Sequence, residues 1–234
     1  MTATPKTPSR AYRVVKRGLD VFFAGLAVVV LTPFMIPVVI ALRLSGEGEV
    51  FYRQNRVGQH RKLFGIWKYA TMLKDSPNLG TGSLTVRGDP RVTRVGRSLR
   101  ATKVNELPQL INVLTGEMSF VGPRPQVQVD YDGYPQHVRE RIYDVRPGVT
   151  GIGSIVFRDE ERLLSKPGID PRAFYRDEIA PFKGELEMWY LDHRSLWLDA
   201  RLAFLTVWVV LRPGSDVVYR TFTDLPARPS WLTD

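Results

Sequence analysis

The sequence predicts an α+β fold: an N-terminal re-entrant membrane helix, a small β-hairpin and several amphipathic or interfacial helices in one compact domain. Three observations predict it. Residues 21 to 42, VFFAGLAVVVLTPFMIPVVIAL, hold no charge over 22 positions, long enough to cross a hydrocarbon layer of about 30 Å. Residues 49 to 72 alternate over VFYRQ, turn over GQHRK and are aromatic and β-rich over LFGIWKY, as a hairpin can be. The remainder falls into short apolar-periodic segments separated by Gly and Pro, the pattern of helices joined by tight loops. The expected layout is a disordered tail over 1–13, a helix-break-helix over 14–44, a cytoplasmic domain over 45–215 and a C-terminal tail over 216–234.

Pro33 and Pro37 interrupt the apolar run. Each removes an amide donor and crowds the carbonyl four residues back, so the helix is expected to bend or break near Thr32-Pro33. The Thr32 hydroxyl can return a hydrogen bond to a freed carbonyl. Arg13, Lys16 and Arg17 precede the run, and Arg43, Arg53 and Arg56 follow it. Basic flanks stay cytoplasmic, so two basic flanks place both ends on one side. An ordinary kinked transmembrane helix is the competing reading. A buried core helix and a secretory signal fit the length and flanks less well.

Charge and chemistry narrow the function. Lys plus Arg number 33 against 24 Asp plus Glu, a formal charge of +9. Such a surplus favours an anionic partner: nucleic acid, a phosphorylated substrate or acidic lipid. No cysteine is present, which excludes disulfides, thiolate catalysis and Cys-based zinc sites. His60, His137 and His193 fit no metal spacing and read as surface residues.

Beyond the membrane run, VFYRQ, GQHRK and LFGIWKY read as strand, turn and strand. Lys68 interrupts the second strand, either as a snorkelling surface lysine or as a phosphate ligand. In GDPRVTRVGRSLR, Asp89 and Pro90 read as N-cap and first helical residue. Val92, Val95 and Leu99 share one face, and Arg91, Arg94, Arg97 and Arg100 another. That stripe suits a diphosphate or lipid headgroups, or it is a solvated face. NELPQLINVL starts a further helix, with Asn105 as N-cap and Glu106 at the positive end of the helix dipole. GEMSFVGPRP reads as turn, short strand and rigid loop. Arg124 between two prolines has the fixity of a phosphate clamp. RPGVTGIGS is Gly-rich but lacks the Walker lysine and hydroxyl. Two or three helices follow. Trp189, Trp197 and Trp208, with the apolar run 202–211, suit either the headgroup region or a core helix.

The ordered set KRGLD, the Pro-broken apolar helix, VFYRQNRVG, FGIWKYATM, DPRVTRVGRSLR, NELPQLINVLTGEMSFVGPRP, RPGVTG and YLDHRSLWLD resembles the bacterial sugar transferases known as monotopic phosphoglycosyl transferases. The resemblance covers about residues 14 to 215. It implies transfer of a phospho-sugar from a nucleotide diphosphate sugar, usually a UDP-sugar, to polyprenyl (undecaprenyl) phosphate. UMP is released and assembly of a surface glycan begins. It implies a re-entrant helix bent at Thr32-Pro33 and residence on the cytoplasmic face of the bacterial inner membrane. The partners implied are the nucleotide sugar, the polyprenyl phosphate and membrane lipids, not nucleic acid, and a homodimer is compatible. An Asp-Glu dyad carries the chemistry in such enzymes: the Asp attacks the β-phosphate and the Glu helps to hold Mg²⁺. The phosphate-binding arginines fall on Arg100 and Arg124.

This chain departs from that pattern in three places. The dyad is Asn105-Glu106, Ala70 stands where an arginine is usual, and IGS replaces a Trp-Gln pair after the Gly-rich loop. An amide is a poor nucleophile, so three accounts stand: Glu106 attacks, the acceptor phosphate attacks directly while Asn105 orients it, or the chain is an inactive membrane scaffold. The candidate set is therefore Asn105 and Glu106 for catalysis, Glu106 for Mg²⁺, and Arg100, Arg124 and Lys68 for phosphate.

Overall fold

A computed structural model describes residues 9–212 and 216–233. Its first element is one helix, α1 (Arg10–Arg43, 34 residues). Ser9 caps it, its hydroxyl accepting from the Tyr12 amide at 3.1 Å. Residues 10–13 are thus helical rather than part of a tail, and residues 1–8 lie outside the described residues. The expected break is also absent as a break: the helix continues through Pro33 and Pro37. Two features make this tolerable. Thr32 Oγ1 donates to the Val28 carbonyl at 2.6 Å, as the sequence suggested. Both prolines also lie on the side of α1 turned away from the domain, so any curvature they impose is convex outward.

The inward side of α1 is docked along its whole length. Lys16 Nζ reaches Asp199 at 2.8 Å and the Val121 carbonyl at 3.0 Å. Arg17 donates to the Val113 and Leu114 carbonyls. Buried Asp20 accepts from Ser119 Oγ and the Phe120 amide at 3.1 and 3.0 Å. Further on, Ala24, Ala27, Val28 and Leu31 pack against Phe64, Ile66, Leu110, Val113 and Met118. Met35, Val38, Val39 and Leu42 close the seam against Tyr69 and Leu99. The other side leaves Phe22, Phe23, Val29, Phe34, Ile36 and Ile40 exposed.

The expected hairpin forms: β1 (Phe51–Val57) pairs antiparallel with β2 (Leu63–Tyr69), Phe51 opposite Tyr69 and Val57 opposite Leu63. Period-two alternation puts Phe64, Ile66 and Lys68 on one face of β2. Phe64 and Ile66 are buried in the seam with α1, so Lys68 points inward too, half-buried.

One buried side chain gathers much of the segment from Leu73 to Thr93. Arg91, 4% exposed, donates to the carbonyls of Ser76, Leu79, Gly82 and Leu84, to Thr81 Oγ1 and to both oxygens of Asp89. Arg91 is therefore not part of an outward stripe, and Asp89 is its counter-ion rather than a helix cap. The cap is Thr93, whose hydroxyl accepts from the Gly96 amide at 3.0 Å, and α2 runs Arg94–Ala101. Arg94 and Arg97 are exposed, while Arg100 is half-buried.

A tight turn, Val104–Glu106, leads to α3 (Gln109–Thr115). The latter begins after Pro108, so Asn105 caps nothing; it lies buried in the preceding turn. Gly116 ends α3 at φ 89°, a left-handed position that only glycine adopts without strain. Next come β3 (Ser119–Val121), α4 (Gln128–Asp132), α5 (Gln136–Arg141) and β4 (Gly148–Thr150), with β4 parallel to β3. The Gly-rich stretch makes close backbone contact: a Cβ on Gly148 would fall 2.2 Å from the Gly122 nitrogen, and one on Gly151 2.3 Å from the Gly122 oxygen.

The chain ends in α6 (Ile152–Val156), α7 (Glu160–Leu163), α8 (Pro171–Phe174), a wide turn over Tyr175–Ile179, α9 (Ala180–His193), α10 (Leu196–Leu211), α11 (Val217–Thr221) and α12 (Ser230–Thr233). These build the main core. Trp189 belongs to that core and not to a headgroup layer, stacking on His193 and packing against Phe222. Trp208 packs partly buried on the core, whereas Trp197 stands exposed on α10 with Phe204, Val207 and Leu211. The expected C-terminal tail also folds into the core: Val218, Phe222 and Leu232 are buried, and Trp231 meets Phe157, Phe174 and Phe182.

Arg91→Ala strands a buried carboxylate and four carbonyls, and breaking such a buried pair costs about 3–5 kcal/mol. Urea unfolding in detergent will show that loss. Arg91→Lys will not restore stability, because an ammonium has three donors and not the five of the fork.

Candidate active site

Glu106 sits at the centre, its side chain 13% exposed. Arg124 grips it with both arms of the guanidinium, Nη2 to Oε1 at 2.6 Å and Nη1 to Oε2 at 3.4 Å. Backbone contacts fix the Pro-Arg-Pro loop that carries Arg124. Tyr143 OH donates to the Arg124 carbonyl and accepts from the Gln126 amide, both at 2.9 Å. The Gly148 amide donates to the Pro123 carbonyl at 2.8 Å. Arg56 Nη1 donates to the Pro125 carbonyl at 3.3 Å. The clamp inferred from two flanking prolines is thus a rigid arm, and what it holds in the free protein is Glu106.

Electrostatics follow from this crowding. Burial pushes the Glu106 carboxyl up, but Arg124 and Lys68, then Lys103, hold it far below the usual carboxylate range. Glu106 is an anion at every physiological pH. It raises the Arg124 guanidinium in return. Burial pulls the Lys68 ammonium well down; Glu106 opposes this, and Arg56, Arg124 and Arg100 add to it. The structure therefore assembles Lys68, Glu106 and Arg124 as the sequence suggested, and adds Arg56 and Lys103.

Arg100 has a different partner. Its Nη2 pairs with Glu161 Oε1 on α7, and its Nη1 touches Met72 Sδ at 3.9 Å. Asn105 is 6% exposed, and its Oδ1 is a buried acceptor with no donor. Thr32 and Pro33 stay exposed on the outward side of α1 and contribute no side chain to this cluster.

Behind the Pro-Arg-Pro loop lies a second acid. Glu187, 1% exposed, accepts from the Arg124 amide through Oε1 at 3.5 Å, and its Oε2 has no partner. Burial pushes its carboxyl up to about 8, against the pull of that amide, Lys183 and Arg124. Lys183 pairs with Glu160 and lies over the rings of Phe157 and Tyr175. The sequence reading missed Arg56, Lys103, Glu160, Glu161, Lys183 and Glu187. The run FRDEE carried a visible signal in its density of charge beside the buried Ile155 and Phe157. Glu187 carried none, being one charge on a helix of mixed character.

A fixed, buried carboxylate-guanidinium pair ringed by further cations defines an anion-handling site, set in a domain that lies lengthwise on an exposed apolar helix. A family profile described as bacterial sugar transferase matches residues 11–213, and the chain belongs to that family. It is 36% identical over 198 residues to a UDP-glucose:undecaprenyl-phosphate glucose-1-phosphate transferase of Escherichia coli, covering 83% of this chain and 40% of that protein. Against a protein of the same name from Caulobacter vibrioides it is 37% identical over 204 residues, 86% of this chain and 71% of that one. Against a UDP-N-acetylgalactosamine-undecaprenyl-phosphate N-acetylgalactosaminephosphotransferase of Aeromonas hydrophila it is 33% identical over 211 residues, 87% and 45% respectively. The chain thus spans less than half the length of two of these relatives.

The Glu187 site predicts a pH dependence of stability. The folded protein keeps this proton up to about pH 8, whereas an unfolded carboxyl releases it near 4.5. Between those values the folded state binds more protons, so stability falls as pH rises. Thermal unfolding from about pH 5 to 8 will show a falling Tm in the native protein and a flatter profile in Glu187→Gln.

Proposed function

We propose that this chain transfers a sugar 1-phosphate from a nucleotide diphosphate sugar, a UDP-sugar by analogy with its relatives, to polyprenyl phosphate, releasing the nucleoside monophosphate and starting a surface glycan. The observation that carries this is the buried Glu106–Arg124 pair among Lys68, Lys103 and Arg100. A diphosphate donor and a phosphate acceptor are both anions, and their reaction depends on positioning and charge neutralisation. The relatives described above are named for this transfer, and none is named as a scaffold. An inactive scaffold therefore has no support from them.

The route that the site favours is direct. Asn105 carries no charge, and both oxygens of Glu106 face the Arg124 fork, which weakens Glu106 as a nucleophile. An oxygen of the acceptor phosphate attacks the sugar-bearing phosphorus, the bond to the nucleoside phosphate oxygen breaks, and the monophosphate leaves with the electron pair. Lys68 offsets charge on the donor, Arg124 fixes Glu106 beside it, and Asn105 orients the acceptor.

Mg²⁺ fits as a shared ion rather than a caged one. Among the described residues no group of three or more His, Asp or Glu gathers to hold a metal. Glu106 and Asn105, consecutive residues of one turn, each carry a hard oxygen, and Mg²⁺ is commonly held by one or two carboxylates plus substrate phosphates. Bound there, the ion would supply further neutralisation of phosphate charge.

The docking of α1 supports a monotopic arrangement on the cytoplasmic face. Its first turns touch Asp199 and its last turns touch Tyr69 and Leu99 of the same domain. A helix of about 50 Å at 1.5 Å per residue cannot hold both contacts and also carry one end across a bilayer. Its exposed stripe would face lipid.

Two measurements test this reading. Nucleoside monophosphate release from UDP-sugars with undecaprenyl phosphate and Mg²⁺ will fall by about 10²-fold or more in Glu106→Gln and Arg124→Ala, while native protein yields no trapped phospho-sugar adduct. Absence of release from the native protein with every donor, or a native adduct, overturns the reading or the direct route respectively. Because the chain lacks cysteine, Ser9→Cys and Leu44→Cys report each end of α1. Neither will react with an impermeant maleimide in intact cells, and reaction at one end alone would mean a crossing helix.

A further inference from the structure

The two guanidiniums that sequence comparison nominates for phosphate are both already neutralised within the protein. Arg124 is paired with Glu106 and Arg100 with Glu161. Within the charged run after Phe157, each acid also has its own partner: Asp159 takes Arg87, Glu160 takes Lys183 and Glu161 takes Arg100. That leaves Arg158, half-buried, with no hydrogen bond or ion pair among the described residues. Lys103 is likewise without a side-chain partner there.

The fold sets the backbones of these two on either side of one contact. The Arg100–Glu161 contact ties the last turn of α2 to the first turn of α7. Arg158 lies three residues before Glu161, and Lys103 three residues after Arg100, so both flank the same contact. Lys103 takes φ 61°, ψ 9°, a left-handed conformation costing of order 1 kcal/mol for a residue other than glycine. Its backbone is locked there: its amide donates to the Arg100 carbonyl at 3.2 Å, and its carbonyl accepts from the Glu106 amide at 3.0 Å. Strain of this kind gathers where a ligand completes a site.

We propose that Lys103 and Arg158 form the unneutralised cationic seat that receives a substrate phosphate, supplying the net positive charge that Arg100 and Arg124 do not. Two adjacent unpaired cations repel each other until an anion arrives. Desolvation lowers the Lys103 ammonium; Glu106 opposes this, and Arg124, Arg158 and Arg100 add to it. The phosphate can belong to the nucleotide diphosphate donor or to the polyprenyl acceptor, since both present anionic phosphate oxygens. This rests on the transfer reading above.

The test separates the two sources and also separates this inference from that reading. Binding of inorganic pyrophosphate to the full chain in detergent, with no turnover required, will weaken at least 10-fold in Arg158→Met and in Lys103→Met. Arg97→Met, exposed elsewhere on α2, will bind as the native protein does. With turnover, a raised KM for the UDP-sugar assigns the seat to the donor, and a raised KM for undecaprenyl phosphate assigns it to the acceptor, with Arg158→Lys restoring part of either. Folded Arg158→Met and Lys103→Met proteins that match the native chain in pyrophosphate affinity and in both KM values would overturn the proposal. Pyrophosphate binding lost on these substitutions in a native protein that turns over no donor would sink the transfer reading and leave the seat standing.

Discussion

A carboxylate enclosed by protein and gripped by one guanidinium organises the centre of this molecule. Taken from water separately, Glu106 and Arg124 would each carry a penalty of several kcal/mol. Together they are kept by geometry: two parallel contacts on a loop whose carbonyls and amides are held by Tyr143, Gly148 and Arg56. The pair is a fixed dipole around which the remaining cations are arranged. Lys68 approaches from the hairpin, Lys103 from the turn that carries Glu106, and Arg100 from the end of α2. The site consequently offers an anion a surplus of charge that is preorganised, so little reorganisation accompanies binding.

The long apolar helix α1 belongs to the same construction. Arg17 satisfies carbonyls at the end of α3, and Asp20 holds β3 in place. Those two elements flank the Glu106 turn and the Pro-Arg-Pro loop on the chain. The apolar helix is therefore a wall of the domain as well as an outward surface. Its exposed Phe and Val stripe and the exposed Trp197–Leu211 face of α10 are apolar surfaces that the fold leaves uncovered among the described residues. A lipid-borne acceptor would meet a domain whose core and lipid-facing helix share one seam.

Much of this was legible in order along the chain. Alternation in the first strand and β-rich composition in the second gave the hairpin, glycine gave the end of α3, and two prolines gave the rigidity around Arg124. The failures share one cause, which is that local signals compete. Asp89 before Pro90 is a good cap in isolation, yet Arg91 two residues later claims it, because a buried guanidinium needs a counter-ion more than a helix end needs an acceptor. Pro33 and Pro37 suggest a break, yet docking along the opposite side of α1 and the Thr32 back-bond keep the helix whole. The segment after residue 216 lacks periodicity, yet Trp231 finds three aromatic neighbours and folds in.

The sequence by itself determined the elements and the chemistry carried on each: an uncharged helix with basic flanks, a hairpin interrupted by one lysine, a Glu in a turn and an Arg between prolines. These depend on period, on backbone freedom and on residue type, all of which act over a few positions. Only the tertiary structure decided which charges cancel. That Arg124 answers Glu106, that Arg100 answers Glu161, and that Arg158 and Lys103 are left over depends on contacts between segments up to 61 positions apart. Coulomb interaction follows distance in space, and a chain folded on itself sets that distance independently of the count of residues between the charges.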